Sequence, residues 1–467
     1  VAIKLSRAGI QDFTVFERSD GPGGVWHENT YPGCEVDTPS MVYSFSFMPY
    51  DWVRTHATQP ELQEYAHRMV THFGIADRFR YGTQVVEAVW DDDDRLYHVL
   101  LDTGERLDFE VVVSAVGMFN APKYPSWPGL DSFAGPLFHS ARWEHEHDLT
   151  GKRVAVVGTG CTATQIAPAL ADTVGELTLF QREPAWIIPK GERKLSLAER
   201  QALSRPSRRA LERHKSFRSF AKYITAFTPG TPGHDKMTQV CLDYIASEIA
   251  DPVLREQVTP KYPFGCKRVI KSSNFYSTLV RPNVHLVPKA VEAVTCNGLV
   301  DADGVERPVD VIVLGTGFDT VSYLSSLRVV GADGRSIHDI WDGDPKAYVG
   351  LTVPGLPNFF MAYGPNTNGG GPITFQLERQ AEAITRIVKR MVLRHYRSVD
   401  TKPEALHKFV EYVDRHNALQ GGATAAGCHN YFFSPHSGRN VTQWPLSHRR
   451  YMLKVWTAEW LGMRKSR

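Results

Sequence analysis

Residues suited to holding a phosphate anion begin at Gly158. The string Gly158-Thr159-Gly160-Cys161-Thr162-Ala163 follows the apolar run Val154-Ala155-Val156-Val157 and opens a helical stretch over 164–171. Gly158 permits a tight turn, Gly160 lets the main chain approach a pyrophosphate, and Ala163 allows close helix–strand packing. The free N–H groups at the start of such a helix face the anion. The next apolar run, Leu177 to Phe180, ends in Gln181-Arg182. An NAD site usually carries an acid near there, for the ribose hydroxyls; an arginine suits the 2′-phosphate of NADP. The spacing predicts an NADP site built from Gly158, Thr159, Gly160, Thr162, Gln165 and Arg182.

A second group of such residues stands near the start of the chain. Phe13 to Phe16 reads as a short strand and Glu17 follows it. An acid after the second strand of a βαβ unit holds ribose hydroxyls, and a surface acid is the simpler alternative. Gly21-Pro22-Gly23-Gly24-Val25-Trp26 is a tight turn whose glycines let backbone amides approach a flat ligand. Three further strand-like runs end in glycine turns, at Gly117, at Gly315 to Gly317 and at Gly364-Pro365-Asn366. The dipeptide Lys267-Arg268 offers a permanent cation, although such pairs are commonly surface features. No metal site is expected. The acids Asp91 to Asp94 read as a hairpin tip, and no two of the six cysteines have CxxC spacing. Widely spaced free thiols suit a reducing cytoplasm.

The elements that must position these groups follow from periodicity. Residues 1–8 read as the end of an amphipathic helix, with Gly9 as its cap. The first strand and glycine turn of that βαβ unit are expected ahead of Val1. Tyr97–Leu101 and Val111–Val113 read as strands around the turn at 102–105. A charged helical stretch over about 190–250 reads as an insertion. Its basic run Arg205 to Lys222, with Phe217 and Phe220 interleaved, is expected to be a solvated face over a buried aromatic stripe rather than a nucleic-acid surface. From Ile373 a helix carries Leu377, Ala381, Ile384, Val388 and Met391 on one stripe, its N-terminus free to stabilise negative charge. The predicted fold is α/β with two Rossmann-like dinucleotide-binding domains. The first is discontinuous, over 1–140 and 306–467; the second spans 141–305 and carries the helical insertion. At 467 residues the chain is long enough for such a division, and a net charge of +2 favours neither nucleic acid nor membrane as partner.

Between these sites lies Phe133-x-Gly135-x-x-x-His139-x-x-x-Trp143. This string resembles the fingerprint of type I Baeyer–Villiger monooxygenases, and the resemblance extends over essentially the whole chain. It departs in closing on Glu144, where the family has Pro or Asp. The resemblance implies FAD and NADPH as cofactors, O2 and a ketone as substrates, and an ester or lactone as product. It places FAD against Glu17, Gly23, Gly24, Val25, Trp26, Asp37, Tyr43, Val86, Gly117, Gly317 and Asn366, and adds Lys267 to the NADP phosphate site. Arg268 becomes the cation that stabilises an oxygen anion, with Asp37 as its partner. Phe133, Gly135, His139 and Trp143 become a hinge. Two alternatives stand beside it: a flavin monooxygenase oxidising nitrogen or sulfur, which usually has Tyr or Phe in place of Trp143, and an inactive NADP-binding fragment.

Overall fold

Val154 to Val157 are buried at four consecutive positions, the pattern of a parallel strand covered on both faces. In the computed structural model, which describes residues 1–369, 371–420, 428 and 430–467, this strand is central to a five-stranded parallel sheet. The order is Val284–Val287, Glu176–Phe180, Arg153–Val157, Val311–Leu314 and Leu137–His139. The helix Cys161–Leu170 packs Ala163, Ile166, Ala167 and Leu170 into the core beneath it. Leu137–His139 precedes the expected boundary at 140, and Val311–Leu314 follows the one at 305. The sheet pairings put both in the second lobe, the one expected to bind NADP. Their apolar patterns fit either lobe, so local sequence could not assign them.

The other lobe is assembled from distant segments. Val15–Phe16 pairs with Phe79–Arg80, and Val112–Ser114 pairs with Phe359–Met361, both in parallel. The expected strand from Phe13 is thus shorter by two residues. A cavity passes between these pairs, with Phe13, Val15, Val111 and Val113 on its walls. The acids Asp91 to Asp94 do sit at a hairpin tip, between Val85–Asp91 and Leu96–Leu101. Helix Ile373–Arg394 buries Ile384, Val388 and Met391 against Phe360, Tyr451 and Val455, while Leu377 and Ala381 of the expected stripe line the cavity.

The insertion forms helices over Leu197–Ser204, Pro206–Tyr223, Pro232–Glu248 and Pro252–Val258. Phe217 packs against Phe375, joining it to the first lobe. The side chain of Lys222, the end of the basic run, lies outside the described residues. One expectation is corrected: Cys266 and Cys428 form a disulfide, while Cys34, Cys161, Cys241 and Cys296 are free. The two are 162 residues apart in sequence, and only the fold brings them together. Among the described residues no helix is long and apolar enough to cross a membrane.

Candidate active site

Both glycine turns open on one cavity of about 2680 Å³. Pockets for one small ligand measure roughly 300–1,000 Å³, and this space exceeds that range. At the NADP turn, Gly158 has φ +117°, and a Cβ there would lie 2.5 Å from the carbonyl oxygen of Gly315. Only glycine lets this turn meet the neighbouring strand. Gly160 caps the helix and has open space where its side chain would be, the room an approaching anion needs. Thr159 and Thr162 line the same wall, and the Thr159 hydroxyl donates to the carbonyl of Glu183 at 3.1 Å. Arg182 is exposed at its rim. Lys267 lies beside it, its ammonium paired with the Glu183 carboxylate and 4.8 Å from the centre of the Tyr262 ring.

In the first lobe, Glu17 accepts from the Ser19 N–H at 2.9 Å and lines the cavity. Gly23, Gly24, Gly117 and Gly317 all have positive φ and line it too. Val25 opens the short helix Val25–Glu28. The Trp26 indole donates to the Tyr43 hydroxyl at 3.0 Å, with the rings 5.7 Å apart and perpendicular. Burial pushes the Tyr43 hydroxyl up to about 12, so it stays protonated. Two expected residues stand off the cavity. Val86 sits at a bulge of its strand, where Gln84 and Val85 line the wall instead. The Asn366 side chain donates to the carbonyls of Asn440 and Gln443 at 2.8 and 3.1 Å; it fastens the C-terminal segment, and Asn368 faces the cavity. Gln165 does line the cavity, but it also joins the lobes, accepting from the Tyr31 hydroxyl and donating to the Glu35 carbonyl, both at 2.9 Å.

Arg268 donates to the Asp37 carboxylate in a close ion pair on the cavity wall between the lobes. Burial opposes ionisation of Asp37, yet the charges of Arg268, Lys271 and Lys190 outweigh it and hold the carboxyl at about 2. In turn Asp37 raises the guanidinium well above its ordinary value. The pair thus stays ionised across the range in which proteins are folded. Cys161 and Tyr431 border the same guanidinium.

The fingerprint residues lie in the other connection between lobes. A Cβ on Gly135 would stand 2.3 Å from the carbonyl oxygen of Asp310, which fixes glycine where the edge strand begins. His139 is fully buried. Its Nδ1 accepts from the Ala141 N–H at 3.1 Å and its Nε2 lies 3.0 Å from the Gly317 carbonyl. Both nitrogens are satisfied by the neutral ring, and burial pushes its pKa down. Trp143 packs edge-on against Phe138, and Phe133 packs on the far side of the sheet.

The sequence reading missed the buried Lys190–Glu35 ion pair, at 2.5 Å, and the cation Lys271. Lys190 was hidden inside a charged stretch read as an insertion. Lys271 follows Arg268 by three residues, a proximity that was its only signal.

Two lobes with glycine turns meet at a half-buried cation, and the relatives of the chain make its class a flavoprotein monooxygenase. A family model described as flavin-binding monooxygenase-like matches residues 8–194. A Baeyer–Villiger monooxygenase of Pseudomonas aeruginosa is 37% identical over 95% of this chain and 85% of its own length. One from Streptomyces coelicolor is 38% identical over 99% of this chain and 90% of its own. A closed crystal structure of cyclohexanone monooxygenase superposes with a TM-score of 0.90 at 29% identity, covering 100% of this chain and 96% of its own. A steroid monooxygenase bound to NADP gives 0.89 at 26% identity, with the same coverage. The chain belongs to the type I Baeyer–Villiger monooxygenases.

Proposed function

We propose that this enzyme inserts one oxygen atom from O2 beside a ketone carbonyl, giving an ester or lactone, with Arg268 and Asp37 as the groups that make the insertion possible. The observation that carries this reading is the ionised Arg268–Asp37 pair, set on the cavity wall between the two glycine turns. The open space at Gly160 and the cavity beside Gly23 and Gly24 would suit NADP and FAD respectively. Glu17, Gly23, Gly24, Trp26 and Tyr43 would hold the flavin; Gly158, Thr159, Gly160, Thr162, Arg182 and Lys267 would hold the nicotinamide dinucleotide. Lys267 would exchange the Glu183 carboxylate for a phosphate. When bound, the two cofactors supply the hydride and the activation of oxygen.

Arg268 presents a fixed positive charge to the oxygen anion that attacks the carbonyl. It withholds a proton as well, because a guanidinium beside a carboxylate does not titrate at working pH. Asp37 orients the guanidinium and offsets the cost of keeping it away from water. His139, with both ring nitrogens engaged, supplies no proton and instead ties the edge strand to the Gly317 turn.

The Arg268→Ala variant tests this assignment. NADPH should still bleach the flavin absorbance at the parent rate, and mass spectrometry should find no ester or lactone. Product formation at the parent rate would remove Arg268 from the reaction.

A further inference from the structure

Lys271 belongs to the short strand Ile270–Lys271, which pairs in parallel with Ile187–Ile188. Ile270 enters the core of the NADP lobe. Lys271 lines the cavity, as do Asp37, Arg268 and Phe220, and its ammonium lies 5.7 Å from the centre of the Phe220 ring.

Lys271 has no direct counterion: among the described residues no carboxylate lies within ion-pair distance of it. The Asp37 carboxylate is engaged by Arg268, and Glu35 is engaged by Lys190 at 2.5 Å. A third acid, Glu192, lies near His56 and accepts from the Ser273 hydroxyl at 2.7 Å, so none of the three nearby acids pairs with Lys271 directly. His56 itself adds no charge: burial, with Lys190 and Lys271, pushes it down to about 4, so it is neutral. Burial likewise lowers Lys271. A half-buried ammonium is costly unless an anion or a ring offsets its lost hydration, and one aromatic face offsets only part of it. An anion arriving beside Phe220 would complete the set.

We propose that Lys271 binds a carboxylate on the ketone substrate, so that the enzyme selects keto acids over neutral ketones. The inference rests on the Baeyer–Villiger reading above. Arg268 stands three residues ahead of Lys271, on the segment that leads into this strand, so an anchored carboxylate would hold the substrate's carbonyl within the neighbourhood of the reactive cation. A cofactor phosphate is the other source of a suitable anion; Arg182 and Lys267 already serve the expected phosphate site at the NADP turn, which leaves Lys271 to the substrate.

The test uses the FAD-loaded enzyme, a cyclic ketone bearing a carboxylate, and its methyl ester. The parent enzyme should favour the acid in kcat/KM by roughly tenfold or more, the scale of a hydrogen bond to a charged group. Lys271→Met should bring that ratio to about one, and Lys271→Arg should restore most of it. Saturating acid should raise the melting temperature of the oxidised parent, with no such rise in Lys271→Met. A parent ratio near one, or a ratio unaltered in Lys271→Met, would overturn the proposal. A raised KM for NADPH with the ratio intact would assign Lys271 to the cofactor and overturn it too. If neither ketone is converted, the Baeyer–Villiger reading fails, and the melting shift alone then decides for or against Lys271.

Discussion

A guanidinium whose partner is a half-buried carboxylate is a poor acid and a durable charge, and Arg268 owes both qualities to Asp37. The dependence has a thermodynamic side. Asp37 titrates at about 2, below its ordinary value of 3.8. A depressed carboxyl contributes stability above the unfolded-state value and loses it as pH falls through the folded one. The window is pH 4 to 2, and the contribution is about 2 kcal/mol. Melting temperature should therefore fall less steeply between pH 4 and 2 in Asp37→Asn than in the parent. The same variant should be less stable at neutral pH, because it leaves Arg268 without a counter-charge; an unchanged melting temperature at pH 7 would contradict the pairing. Which residues carry charge was legible in the dipeptide Lys267-Arg268. That Lys267 has Glu183 as counterion, and that Lys271 has none within ion-pair distance among the described residues, depends on strands brought together from distant parts of the chain.

Elements were readable wherever one period dominated. The buried strand Arg153–Val157, the helix Cys161–Leu170 and the amphipathic helix from Ile373 stand close to where their patterns put them. Membership of a sheet was not readable, because Leu137–His139 and Val311–Leu314 have no local mark of the lobe they join. Val86, placed by the resemblance and by no period, sits at a bulge between Val85 and Glu87, off the cavity wall. The edge strand yields its own prediction. Gly135→Ala would force a Cβ against the Asp310 carbonyl, at a cost of about 1–3 kcal/mol. A lowered melting temperature is the expected result, and an unchanged one would show that this approach is looser than described. Gly158→Ala, strained in the same way at the NADP turn, should raise the KM for NADPH at least tenfold, with little effect on the intensity of the flavin spectrum.

At the level of the whole molecule, the covalent bond between Cys266 and Cys428 ties the segment bearing Lys267 and Arg268 to the C-terminal region. Under denaturing, non-reducing conditions four thiols should react, and six after reduction. Six before reduction would exclude the bond. Closing a loop of this size restricts the unfolded chain by about 4–5 kcal/mol in the entropic account, so reduction should lower the melting temperature. The two connections between lobes have a different consequence. Leu137 and Ile312 sit side by side in one sheet, at the entrance to and exit from the NADP lobe. A segment whose ends emerge together can be cut out and rejoined by a short linker without distorting either remainder. Residues from about Phe133 to Leu314 are thus expected to behave as a cassette, provided that an exchange keeps the Cys266–Cys428 bond and the Arg268–Asp37 pair that cross its border. Exchanging that cassette with one from a related enzyme would transplant nicotinamide preference while leaving the flavin lobe's own packing intact.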